Sequence, residues 1–82
     1  MGNQPLIQSG VATVNTNTTI NLDVDFGDTG YSVVLTDNTN GNPAVIYNVV
    51  NKLAGSFSVS CRLSTNNGPA NRQTNWVAIG NR

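Results

Sequence analysis

Thr18-Thr19-Ile20-Asn21-Leu22-Asp23-Val24-Asp25-Phe26 is the stretch that decides the fold class. Ile20, Leu22, Val24 and Phe26 share one parity, and Thr19, Asn21, Asp23 and Asp25 share the other. Strict period-two alternation is the pattern of a strand with one face buried and one face wet. Phe57, Val59, Cys61 and Leu63 alternate in the same way with Ser56, Ser58, Ser60 and Arg62.

Working outward, residues 7–14, 31–37, 44–52 and 74–80 read as four more strands. Gly27, Gly30, Gly41, Gly55 and Gly68 punctuate the gaps, with Pro43 and Pro69 beside two of them. Ten Val and four Ile favour strand over helix. Six short strands separated by turn signals predict an all-β chain, an antiparallel sandwich or barrel, in a single domain spanning residues 1–82.

Eighty-two residues make a small core. A chain of this length buries only roughly 60% of its unfolded surface. One Cys rules out an intrachain disulfide, and the absence of His leaves no Cys/His zinc set. Oligomerisation is the remaining way to cover more apolar surface. Residues 44–47, 49–50 and 76–79 are apolar on both parities, so Ile46, Val50, Val77 or Ile79 would face water in an isolated sheet. These strands are expected to meet another subunit.

Four basic residues balance four acidic ones, and only 10% of the chain is charged. That excludes a general phosphate-binding surface, so no nucleic-acid partner is expected. No apolar run approaches the roughly 20 residues of a membrane span, and the polar N-terminus carries no signal-peptide core.

Polarity comes instead from fourteen Asn and nine Thr. If the six strands alternate in direction, the connections 15–17, 38–42 and 64–75 lie at one end. Nine of the Asn fall there. An amide-rich end on a rigid scaffold is the natural place for a binding site.

Catalysis is not expected. There is no His and no Glu, and Cys61 points inward by parity with no base partner. Asp23, Asp25 and Asp28 invite comparison with a Ca²⁺ site, but no ligand-loop pattern surrounds them and a solvated face is the simpler reading. No metal or cofactor is expected. Trp76 reads as core. Arg72, between Pro69 and Trp76, reads as a loop residue, either solvated or paired with an anionic sugar. Asn17-Thr18-Thr19 matches the glycosylation acceptor pattern, which an Asn- and Thr-rich chain produces by chance.

The order of short motifs is distinctive: Gln8-Ser9-Gly10, then Val24-Asp25-Phe26, Ser32-Val33-Val34-Leu35, Val45-Ile46, Phe57-Ser58-Val59-Ser60-Cys61 and Asn75-Trp76-Val77-Ala78-Ile79-Gly80. Across residues 7–80 this resembles the H-type lectin family, including the C-terminal receptor-binding heads of bacteriophage tail fibres. The resemblance implies a six-stranded antiparallel β-sandwich assembled as a homotrimer, acting on the virion outside the host cell. Residues 1–6 would be a lead-in, the junction to a fibre shaft. It also implies a sugar site between subunits at the amide-rich end. The family's first-loop Asp is replaced by Asn15 and Asn17, its fourth-strand Arg by Asn48, and its Trp-His pair by Ser64 and Thr65. N-acetylgalactosamine specificity therefore does not carry over. The expected ligand is a bacterial surface polysaccharide or glycan, held by Asn15, Asn17, Asn48, Ser64, Thr65 and Arg72. The alternative is a trimerising cap that binds no glycan. A depolymerase would lack the carboxylate pair of glycoside hydrolysis.

Overall fold

The computed structural model describes residues 4–39 and 44–81. Six strands follow one another: β1 (Pro5–Val14), β2 (Thr18–Asn21), β3 (Ser32–Asp37), β4 (Val45–Leu53), β5 (Ser56–Leu63) and β6 (Arg72–Asn81). They form two three-stranded antiparallel sheets, β1-β6-β3 and β2-β5-β4. Among the described residues there is no helix. The central strand of each sheet is late in the chain, so both sheets are closed by long-range pairings.

Period-two alternation sets the inner faces. From β6, Thr74, Trp76 and Ala78 are buried, and from β5, Phe57, Val59 and Cys61. Val14, Ile20, Phe26 and Tyr31 complete the core from the flanking segments. The sheets touch through the edge-to-face pair Phe57–Trp76, ring centroids 5.6 Å apart, and through Tyr47 Oη and Thr74 Oγ1 at 2.9 Å. Cys61 is buried, as its parity requires.

The residues of two quoted motifs are explained by packing. Trp76 pairs with Gly10 on one side and Leu35 on the other. Its indole lies flat over Gly10, where an added Cβ would sit 2.9 Å from Cζ2. Along β6 the inward residues shrink from Trp76 to Ala78 to Gly80. The shrinkage makes room for Phe26 stacked on Tyr31, centroids 4.5 Å apart. A Cβ on Gly80 would meet Tyr31 Cβ at 2.7 Å. The run Trp76-Val77-Ala78-Ile79-Gly80 is thus a statement about core shape.

The strand expected over 18–26 ends at Asn21. Burial still alternates beyond it, with Leu22, Val24 and Phe26 turned inward, but the ladder does not continue. Leu22 and Phe26 donate N–H to the carbonyls of Gly55 and Ala54. Val24 is served by a side chain: Gln8 Nε2 donates to its carbonyl at 2.8 Å, and its N–H donates to Gln8 Oε1 at 3.0 Å. One amide from β1 therefore replaces a strand neighbour and ties the two sheets together. Gln8→Ala orphans both Val24 groups at once. It is expected to cost about 1–3 kcal/mol, read as a lower urea midpoint at unchanged slope.

β5 keeps its expected bounds, and, β2 aside, the other strand ends move by at most two residues. Pro5 and Leu6, expected in the lead-in, belong to β1, while residues 1–3 lie outside the described residues. β4 carries a bulge between Val49 and Asn51. The extra residue lets Val49 and Lys52 both turn inward. Lys52 Nζ then donates to the Tyr31 carbonyl and lies 5.1 Å from the centre of that ring. The Tyr31 hydroxyl has the carbonyls of Leu53 and Ser56 as acceptors.

Candidate functional site

Register places the turns. Val14, at the end of β1, pairs with Arg72 at the start of β6, Asp37 pairs with Thr74, and Leu63 with Val45. The connections after β1, β3 and β5 therefore share one end, as strand alternation predicts. Residues 40–43 of the middle connection lie outside the described residues.

The turns are held by their own polar side chains. Asn15 Oδ1 accepts from the Asn17 N–H at 3.0 Å and from Thr18 Oγ1 at 2.9 Å. The Asn15 carbonyl accepts from Cys61 N–H, docking this turn on the β2 side of β5. Asn66 Oδ1 accepts from Gly68 N–H, and Asn67 takes a positive φ of 59°. Asn tolerates that left-handed geometry better than most residues. Ser64 N–H reaches the Ala44 carbonyl on the β4 side. Asn17, Ser64 and Thr65 are exposed on this rim, with β5 lying between the turn 15–17 and the turn 64–67. Asn15 lines the rim too, but its side-chain oxygen is engaged in shaping the turn.

Arg72 departs from expectation. It is the first residue of β6, not a loop residue, and its parity turns it inward. Its Nε lies 3.3 Å from Asp37 Oδ2, both side chains largely covered. Asp37 also caps the following turn, accepting the Thr39 N–H at 2.8 Å. Sequence reading missed Asp37. The usable signal was that it is the acidic residue closing a strand whose end must face Arg72.

Tyr47, Thr74 and Cys61 lie behind this ion pair. Burial pushes the Cys61 thiol above its ordinary 9.0; Arg72 opposes that shift and Asp37 adds to it. Burial likewise raises Tyr47 above 10.0, opposed by the Thr74 hydrogen bond and, more weakly, by Arg72. Burial, with Asp25 adding, raises Tyr31. Each group is neutral when protonated and its folded pKa lies above the unfolded one. The unfolded chain therefore sheds these protons first as pH rises. Stability is expected to be intact below pH 9 and to fall progressively above pH 9–10. Melting temperature followed from pH 7 to 11 checks the sign.

Asn48 sits on the outer face of β4, three residues in from the strand's start, opposite Ser60. Thr19 and Ser58 extend that face, their hydroxyl oxygens 2.9 Å apart. Arg62, opposite Ile46, has Nη1 3.5 Å from the Asn67 carbonyl. The site residues thus divide into a rim (Asn15, Asn17, Ser64, Thr65), an outer face (Asn48) and an inward ion pair (Arg72). At the other end, Asp25 and Asp28 accept the N–H groups of Gly27 and Gly30, which fixes two tight turns. Among the described residues no three metal-ligating side chains converge.

A family model described as "Putative tail fiber protein gp53-like, C-terminal" matches residues 4–81, all six strands and every turn between them. The chain belongs to this family. It is a phage tail-fibre C-terminal domain and therefore a virion-associated protein. No curated protein and no solved structure matches the chain.

Proposed function

We propose that this tail-fibre domain is a host-attachment head: an H-type-lectin-like β-sandwich, assembled as a homotrimer, that binds bacterial surface glycan without catalysis. The observation that carries this reading is the gathering of the turns after β1, β3 and β5 at one end, with Asn17, Ser64 and Thr65 exposed there. Amides and hydroxyls both donate and accept, which matches sugar hydroxyls. Single-site affinity is expected to be weak, and three sites on one particle strengthen attachment.

The structural cap is favoured by a specific observation of its own. Asn15, Asn66 and the Arg72–Asp37 pair are engaged in holding turns and strand ends. This moves the proposed ligand contacts to Asn17, Asn48, Ser64 and Thr65. Labelled protein offered to a panel of bacterial strains separates the two readings. The attachment head stains a subset of strains and is displaced by their purified polysaccharide, whereas the cap stains none.

A further inference from the structure

The large apolar side chains exposed among the described residues fall into two groups. Ile7, Val11, Val34 and Ile79 lie on the outward face of the β1-β6-β3 sheet, 45–67% exposed. Ile46, Val50 and Leu53, 51–56% exposed, lie along β4, the edge strand of the other sheet. The first group is continuous across strands: Ile7 opposes Ile79, and Val34 opposes half-buried Val77. No outward position of that sheet carries a charge. Its other outward residues are Ser, Thr, Asn, Gln and Pro5.

We infer that these two patches are complementary halves of one subunit contact, the sheet face of one copy seating on the β4 edge of the next. The inference rests on the trimer reading above for its closure. With two ten-residue strands and one of six, the face spans at most roughly 33 by 14 Å. That is well short of the ~800 Å² per partner of a stable interface. A two-fold contact of face on face uses only that area and leaves the β4 edge bare; edge on edge leaves the face bare. A head-to-tail contact covers both patches on every subunit and either closes into a ring or grows into a filament. β4 is an edge strand, so a copy seated on it from the side would set the two contact planes at an angle, the seating that closes a ring. The contact also covers a nine-residue open edge whose backbone groups would otherwise invite stray pairing.

Complementation tests the pairing. A face variant carries Val11→Asp and Val34→Asp; an edge variant carries Ile46→Asp and Val50→Asp. All four positions are more than half exposed, so the core of the chain is untouched. Light scattering should show that each variant alone loses the three-chain particle. Mixed one to one at raised concentration, they should form a particle with one copy of each, weaker than the wild-type ring because only one intact edge meets one intact face. Where a variant unfolds alone, co-refolding the two should restore the strand signal that neither recovers by itself. An edge variant that keeps the wild-type size, or a mixture that forms no one-of-each particle, overturns the pairing while leaving the trimer reading in place. Wild type that runs as a monomer or as open filaments overturns the trimer reading, and this inference with it.

Discussion

Trp76→Ala is expected to remove about a third or more of the domain's stability, lowering its melt steeply or unfolding it at 25 °C. The indole is the largest side chain on the inner face of β6, packed edge-to-face on Phe57 and lying over Gly10. Truncating a buried Trp typically costs about 3–5 kcal/mol. A domain of this size has a total stability of only about 5–10 kcal/mol. Few neighbours can relax into the void: Gly10 has no side chain, and Phe57 is held between Ile20 and the inward Lys52 by its own register. Far-UV circular dichroism at 25 °C should show loss of the strand signal, or a melt shifted down by more than 10 °C. A variant with wild-type stability would mean that Trp76 is a surface platform.

The second large effect comes from adding atoms. Gly10→Val and Gly80→Val each place side chains where one Cβ already meets a ring or a Cβ at under 3 Å. Overpacking of this kind costs about 1–3 kcal/mol, occasionally more. The two sites differ in a way that separates this account from a general intolerance of strand substitutions. At Gly10 the clash is with Cζ2, Cε2 and Nε1 of the indole, and Phe has no counterpart of Cζ2 or Nε1. In a Trp76→Phe background Gly10→Ala should therefore cost less than in the wild type, a non-additive pair. Gly80→Ala should be unaffected by that background, because its clash is with Tyr31 and Phe26. Urea denaturation of the four proteins of each cycle reads the difference.

Much of the fold was legible because its strands carry one wet face. Ser56–Leu63 has the bounds its alternation predicts. The stretch 18–26 shows the limit of the same signal. Alternation reports which way side chains point, and Leu22, Val24 and Phe26 do point inward, but it does not report whether a strand neighbour is present. Beyond Asn21, Val24 is served by the side chain of Gln8, sixteen residues upstream, and Leu22 and Phe26 by the carbonyls of Gly55 and Ala54, and no local pattern encodes that. The β4 bulge was hidden for a related reason: Val49-Val50 reads as two-faced when one of the pair is the inserted residue.

The candidate site was legible at the level of which end and not which atoms. Strand alternation places the turns after β1, β3 and β5 together. What each polar side chain does there depends on local geometry that composition does not carry. Asn15 and Asn17 look equivalent in sequence, yet the Asn15 oxygen shapes the turn while Asn17 lies exposed on it. Arg72 looked like a loop residue because Asn71, Arg72 and Gln73 carry no apolar alternation. Its strand character comes from pairing with Val14 across β1.

The central claim is that the exposed amides and hydroxyls at this end hold a host glycan. It is tested most directly by comparing attachment of wild type with that of a triple variant, Asn17→Ala, Ser64→Ala and Thr65→Ala, on a strain the wild type stains. All three residues are exposed, so melting temperature and particle size should stay at wild-type values. Each lost hydrogen bond contributes about 0.5–1.5 kcal/mol. Attachment measured by flow cytometry is therefore expected to weaken roughly tenfold or more, with multivalency enlarging the difference. A triple variant that attaches as well as wild type, at unchanged stability, would place the site elsewhere on the domain.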